Sequence, residues 1–100
     1  MENSQISAVS TISYSRTEKY IENFEQKNRR HNYTLSLFYY KIETETHTFE
    51  LKHIWDISYK PFSGNNGLLY LHTVQGVFTF LIDTNPNKFM NAVKDLLGVV

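Results

Sequence analysis

The sequence predicts a single α+β domain in which antiparallel strands pack against a C-terminal helix. The second half of the chain follows the order strand, strand, glycine-containing hairpin and amphipathic helix. Aromatic residues make up 15% of the chain, and aromatic side chains favour strands. A length of 100 residues is sufficient for one domain with one hydrophobic core.

The N-terminal third contains a weak strand pattern followed by a segment with two interpretations. Small and apolar residues alternate with period two over residues 6–14, which predicts a first strand. Ser15 and Glu18 then have the spacing of a capping box, and apolar residues follow at helical spacing. We therefore predict an N-terminal helix over residues 15–30. The alternative is that residues 19–26 form another polar strand of a barrel.

In the middle of the chain, the sequence pattern predicts two strands, a break within the second strand, and a loop. Residues 33–43 carry apolar side chains in both alternating sets, which predicts a strand buried on both faces for part of its length. The polar residues 44–46 form a turn. The pattern of residues 48–59 predicts a second strand. We expect a bulge or short turn in it near residues 54–56, where the alternation of apolar side chains changes phase. Proline, glycine and asparagine in residues 61–67 predict a loop.

The late hairpin allows a prediction of strand register. If Gln75 and Gly76 form a two-residue turn, Leu71 lies opposite Phe80. This assumption sorts the side chains into one mixed face and one apolar face, and a slip of one residue would scramble that sorting. The predicted apolar face consists of Leu69, Leu71, Phe78, Phe80 and Ile82.

The final element is predicted to be an amphipathic helix. Asn85 can cap it, Pro86 suits its first position, and Gly98 suits the position after its last turn. Its apolar stripe needs a hydrophobic partner, and the apolar face of the late hairpin is the expected one. The stripe consists of Phe89, Val93, Leu96 and Leu97.

From about Tyr33 onward, this succession of patterns resembles bacterial pleckstrin-homology-like domains. Residues 49–57, FELKHIWDI, are similar to a short strand and turn of that family. Residues 67–80 are similar to its late hairpin, and residues 85–97 to its C-terminal helix. The resemblance implies a strongly bent antiparallel sheet or partial barrel, closed at one end by the helix. It also implies a binding scaffold, although fold alone does not determine function.

Composition disfavours several classes of function. Ten basic and ten acidic residues give no net charge, whereas nucleic-acid-binding proteins normally carry a basic excess. The absence of cysteine excludes thiol catalysis and cysteine-ligated metal sites, and it fits a cytoplasmic protein. The N-terminus has no signal-peptide pattern, and the apolar runs are far shorter than the roughly 20 residues of a transmembrane segment.

One local concentration of charge is a candidate ligand-binding site. Lys27, Arg29 and Arg30 lie within four residues of one another, and arginine binds phosphate groups through paired hydrogen bonds. These residues could contact a phosphate, an anionic lipid or RNA. The competing and simpler interpretation is a solvated helix end or loop.

Four other residues are candidate contacts for a protein partner. Trp55 and Phe62 are large aromatic side chains of the kind that dominate binding energy at interfaces. The competing interpretation, which we favour at this point, packs both beneath the loop of residues 61–67. Tyr70 and His72 lie on the mixed face of the late hairpin and could contact the same partner.

The sequence predicts neither catalysis nor a metal site, and no cofactor is expected. His47 and His53 lie roughly 20 Å apart along an extended strand, too far to share a metal. No pattern brings Asp56 or Asp83 towards a second catalytic group. We therefore predict a small non-enzymatic interaction module that binds a protein partner or a second copy of itself. A peripheral anionic-lipid-binding domain is the first alternative, and a small enzyme with a site at the open end of the barrel is the second.

Overall fold

Seven strands and one helix make up the fold of residues 7–98, the part of the chain that the computed structural model describes. All strands belong to one antiparallel sheet that does not close, in the order β4-β3-β2-β1-β7-β6-β5. The strands are β1 (Ser10–Glu22), β2 (Glu25–Leu37), β3 (Lys41–Glu43), β4 (Thr48–Glu50), β5 (Ile54–Ser63), β6 (Asn66–Thr73) and β7 (Gly76–Ile82). A short 3-10 helix (Leu51–His53) joins β4 to β5, and the C-terminal helix is α1 (Asn87–Leu97).

The predicted α+β architecture is confirmed, and the position of the helix is consistent with a bent sheet. α1 packs against both β1 and β5, which are separated by two other strands in the sheet. At about 4.8 Å per strand, a flat sheet would hold β1 and β5 about 14 Å apart, more than the 10–12 Å diameter of a helix. This position of α1 is consistent with a sheet that bends around the helix.

The predicted N-terminal helix over residues 15–30 is wrong. This segment forms the outer parts of β1 and β2, which pair from Ser10 opposite Leu37 to Glu22 opposite Glu25. The alternative, a strand over residues 19–26, is correct in type, but the chain reverses within it. Helical spacing of three apolar residues is a local signal. The ladder that starts at the buried base of the hairpin outweighs it, because each further pair extends existing hydrogen bonding.

The predicted strand over residues 33–43 is two strands joined by a tight turn. The amide of Phe38 donates to the carbonyl of Lys41 at 2.8 Å, and the two tyrosines between them are exposed. The chain then returns so that Ile42 lies opposite Leu37, and both side chains are buried in one core. The predicted burial on both faces is therefore wrong. The predicted turn at residues 44–46 is confirmed.

The break predicted within residues 48–59 occurs, but it begins earlier than residues 54–56. The 3-10 helix interrupts the strand first, and a shift in pairing follows at Trp55. The predicted loop of residues 61–67 is largely paired, with Pro61 opposite Gly67. Only Gly64 and Asn65 form the turn, because the flanking residues keep their places in the β5–β6 ladder.

The predicted register of the late hairpin is wrong by two residues, while its faces are right. Leu71 pairs with Phe78 and not with Phe80, so the turn lies at residues 74–75. The hydroxyl of Thr73 closes this turn by donating to the carbonyl of Gly76 at 2.9 Å. A shift of two residues preserves the alternation of side chains, and the apolar face therefore survives the error.

The C-terminal helix is confirmed, with its start one residue later than predicted. Asn87 is the first helical residue, Pro86 occupies the N-cap, and the amide of Asn87 donates to Oδ1 of Asn85 at 2.9 Å. Asn85 therefore supports the entry to the helix without being its N-cap. Gly98 ends the helix in the left-handed conformation at φ 75°, as its position predicts.

Side chains from all seven strands and from α1 form one core. The expected stripe contributes the fully buried Phe89 and Val93, with Leu96 and Leu97 partly buried against the same cluster. The strands that α1 approaches most closely are β5 and β1, whereas direct packing against the β6–β7 hairpin was expected. The apolar face of that hairpin lines the same core from the sheet side.

Candidate functional site

The outer part of the β1–β2 hairpin, residues 16–31, extends from the body of the protein, and we call it the arm. In the described ladders, β1 pairs with β7 only at Ser15, and β2 pairs with β3 only at Ser36 and Leu37. The arm is therefore a two-stranded ribbon with both outer edges unpaired, and none of its side chains is fully buried. The radius of gyration of 15.4 Å exceeds the roughly 13 Å of a compact domain of this size.

The three predicted phosphate-binding residues lie on the arm, but they do not converge. Alternation along β2 places Lys27 and Arg29 on one face and Arg30 on the other. The ammonium of Lys27 lies 3.6 Å from the carboxylate of Glu22. The guanidinium of Arg29 stacks 4.7 Å above the ring of Tyr20. Two of the three cations are thus engaged within the arm itself.

Trp55 and Phe62 project from β5, which forms one edge of the sheet. Each occupies a position where the β5–β6 pairing shifts, between residues 54 and 56 and between residues 61 and 63. Their side chains are 67% and 55% exposed, so the favoured interpretation that both pack beneath a loop is wrong. A bulge residue has no direct cross-strand partner, which frees its side chain from the regular alternation. The two residues are seven positions apart, roughly 23 Å along an extended strand, and belong to separate surfaces.

Tyr70 and His72 lie together on the outer face of β6, with ring centroids 6.4 Å apart. His72 is opposite Val77, which is exposed, and also pairs with Asp56, the residue after Trp55. The structure therefore brings three of the four predicted partner contacts to one region. We call Trp55, Tyr70, His72 and Val77 the outer patch. Phe62 lies outside it.

One hydrogen bond within this region has the donor–acceptor distance that is expected between a catalytic nucleophile and its base. Oγ of Ser58 lies 2.8 Å from Nε2 of His72. A catalytic triad also requires a carboxylate bound to the other imidazole nitrogen. Oδ1 of Asp56 is buried nearby, but it has no hydrogen-bond partner among the described residues. The hydrogen bond from Ser58 therefore holds the His72 ring in place, and these residues do not form a triad.

A cleft of about 130 Å³ lies at the base of the arm. Aromatic rings form much of its wall: Phe49 and Phe78 are 4.8 Å apart between centroids, and Tyr14 meets Phe80 edge-on at 5.0 Å. The 44–47 turn closes one side. Sequence reasoning missed this cleft because its walls come from β1, β7 and a distant turn.

Polar groups orient the rim of this cleft. The carboxylate of Glu45 accepts hydrogen bonds from the hydroxyl of Tyr14 at 3.1 Å and from Nη1 of Arg16 at 2.8 Å. Burial is the main cause that raises the pKa of the Tyr14 phenol. Tyr14 therefore stays protonated and donates to Glu45 at neutral pH. The cleft combines an aromatic interior with a hydrogen-bonded rim, a combination that suits one planar apolar group.

Neither metal-binding clusters nor membrane-spanning helices are found within residues 7–98. No three histidine, aspartate or glutamate side chains of this range come together in a way that could hold a metal ion. His31 instead lies 3.0 Å from the carboxylate of Glu18. α1, the helix of the described chain, is not long and apolar enough to cross a bilayer.

Comparison of the sequence with models of known protein families gives no match, and comparison with curated proteins gives none.

Proposed function

We propose that this protein is a small non-enzymatic interaction module that binds a protein partner through the outer patch. The observation that carries the proposal is the exposure of Trp55 on an edge strand. A tryptophan with two-thirds of its surface in water is a costly residue to leave unpartnered, and tryptophan is among the residues most enriched at binding hot spots. Tyr70, His72 and Val77 extend the surface beside it.

The shape of β5 favours docking of side chains over addition of a partner strand. Pairing shifts at Trp55 and Phe62 bend the strand, and Lys60 and Pro61 lie between them. Bulges, lysine and proline are features that natural edge strands use against pairing with another chain. A partner would therefore bind the rings of the outer patch, with little main-chain hydrogen bonding to the second half of β5.

The architecture supports a relationship with pleckstrin-homology-like domains. A seven-stranded antiparallel sheet that bends around a C-terminal helix is what the resemblance from Tyr33 onward implies. Such a scaffold presents strand edges and loop ends to partners, which suits the proposed role. A cytoplasmic location is part of the proposal, and the absence of cysteine supports it.

The proposal is tested by replacing Trp55 with serine. The variant should lose at least tenfold in affinity for proteins retained from native cytoplasm by the wild-type chain. Tyr39→Ser is the matched control, because Tyr39 is equally exposed but lies at the β2–β3 turn, outside the patch. Quantitative mass spectrometry of the retained proteins measures the difference. Equal retention by Trp55→Ser and Tyr39→Ser would contradict the proposal.

Binding to an anionic membrane is the alternative to binding a protein partner, and it needs a separate measurement. The face of the arm that includes Arg30 also carries Lys19 and no acidic residue. Two cations contribute only about 1 kcal/mol each near an anionic surface, which is weak by itself. Co-sedimentation with phosphatidylserine vesicles that is lost in Lys19→Ala plus Arg30→Ala would favour the membrane over a protein partner.

A further inference from the structure

The tip of the arm presents an exposed phenylalanine in a conformation that phenylalanine rarely adopts. Asn23 and Phe24 form the two-residue turn, with φ of 54° and 65°. A turn with positive φ at both positions strongly prefers glycine at the second, because a side chain there meets the backbone. Phe24 is fully exposed, so no contact with its own chain offsets this cost. A contact with another molecule would account for the choice of residue.

On the face of the arm that continues the core face, two of the three acidic side chains lie at the tip. At the base, Arg16 lies opposite His31; at the tip, Glu22 lies opposite Glu25. Like charges directly opposite each other are unfavourable in a sheet, and Lys27, which lies 3.6 and 4.0 Å from the two carboxylates, offsets part of this repulsion. The tip row is nevertheless net acidic, whereas the base row carries the guanidinium of Arg16, which is bonded to Glu45, and the imidazole of His31, which lies 3.0 Å from Glu18.

The aromatic cleft lies on this same face, at the base of the arm. It is lined by Tyr14 and Arg16 of β1, whose side chains belong to the same face as the acidic tip row. Its volume of about 130 Å³ is close to the ~150 Å³ that holds one benzene ring in a protein core. The guanidinium of Arg16 bonds to Glu45, yet its side chain remains 59% exposed and accessible to a second carboxylate.

We propose that two copies of this chain associate through antiparallel arms, with Phe24 of each copy inserted into the base cleft of the other. A two-fold axis through the middle of the arms pairs base with tip twice, as a closed dimer requires. The acidic tip row then meets the base row, where the exposed guanidinium of Arg16 can bond to a second carboxylate. The cleft lies about 26 Å from the tip along the strands. When two arms lie antiparallel with their tips at opposite ends, the tip of each arm therefore reaches the cleft of the other. This surface is separate from the outer patch, and either proposal can fail without the other.

Analytical ultracentrifugation of the full chain tests the dimer. The wild-type chain should be a dimer, and Phe24→Gly should raise the dimer dissociation constant at least tenfold. Glycine removes the ring and suits the positive φ of the turn, so the variant folds at least as well as the wild type. The control is Ile21→Ser, which removes a 76% exposed apolar side chain close to the tip but on the other face of the arm. Its dissociation constant should change less than threefold.

A pair of charge reversals tests the orientation of the arms. Glu22→Lys with Glu25→Lys makes the tip basic, and Arg16→Glu with His31→Glu makes the base acidic. Each double variant alone should have a higher dissociation constant than the wild type, because it reverses either the tip carboxylates or the guanidinium that they meet. An equimolar mixture should form a heterodimer, since both contacts become attractive. A monomeric wild-type chain at 1 mM, an unchanged dissociation constant in Phe24→Gly, or a mixture that stays monomeric while both variants remain folded would overturn the proposal.

Discussion

Gly67 at the start of β6 shows how one position is restricted by its neighbours. It is buried and pairs with Pro61, and its φ is unremarkable, so conformational freedom is not the reason for glycine. A Cβ added there would lie 2.5 Å from Cε1 of Tyr59 and 2.7 Å from the carbonyl oxygen of Lys60. The Tyr59 ring can move, whereas the backbone carbonyl is held by the strand.

Gly67→Ala is therefore expected to lower the free energy of unfolding by about 1–3 kcal/mol, the usual cost of overpacking. Urea denaturation followed by circular dichroism measures the change. Ser63→Ala provides the control, because Ser63 is exposed at the far side of the same turn. A loss below about 0.5 kcal/mol in Gly67→Ala would mean that β5 and β6 separate easily at this end.

The exposure of single aromatic residues could not be predicted from the sequence. Trp55 and Phe62 are of residue types that often lie in a core, and only the two pairing shifts in β5 explain why they face water. Phe80, which the alternation assigns to the core, is buried as predicted. The difference is that alternation is a local property of one strand, whereas a bulge depends on the register between two strands.

At the scale of elements, α1 contributes the most concentrated hydrophobic contact. Phe89 and Val93 are almost completely buried, one helical turn apart, and they join the core formed by the sheet. The sequence predicted this helix to within one residue at its start because the Asn85–Pro86 entry, the apolar spacing and the final glycine are all local signals. The element against which it packs most closely, β5, was not predicted, because it depends on how far the sheet bends.

Phe89→Ala should destabilise the protein by about 3–5 kcal/mol, since it leaves a cavity where the core meets the helix. Thermal unfolding monitored by calorimetry is the measurement. Asn91→Ala is a suitable comparison, because Asn91 lies on the exposed side of the same helix and should change stability by less than about 0.5 kcal/mol. Similar midpoints for the two variants would show that α1 contributes little to the core.

The β1–β2 hairpin is the element for which local patterns failed. The capping-box spacing of Ser15 and Glu18 and the helical spacing of the next apolar residues have no structural role, because both lie in paired strands. Half of this hairpin buries nothing, so its sequence lacks the apolar alternation by which strands are recognised. The arm adopts strand structure because its base is part of the sheet.

At the scale of the whole molecule, the body contains the core and the arm lies outside it. The core includes no residue between 15 and 32, and the longest dimension of the protein is 50 Å. An isolated two-stranded ribbon is only marginally stable in water, so the arm depends on the body and contributes little to it in return.

Removing residues 19–28 and joining Glu18 to Arg29 through Asn-Gly should change the free energy of unfolding by less than about 1 kcal/mol. Glu18 and Arg29 are paired opposite each other at the same alternation as Glu22 and Glu25, so the new turn keeps the register. Chemical denaturation at low protein concentration measures the effect on the monomer. A loss of several kcal/mol would show that the arm supports the core.

The sequence by itself determined the class of the fold, the C-terminal helix and the set of hairpin side chains that enter the core. Each of these depends on periodicity within one segment, which any register shift by two residues leaves unchanged, as the late hairpin shows. Only the tertiary structure decided the register itself, the β1–β2 arm, the exposure of Trp55 and the cleft at the base of the arm. These features arise where distant segments meet, because pairing and burial between segments are decided by the summed contacts of the whole chain.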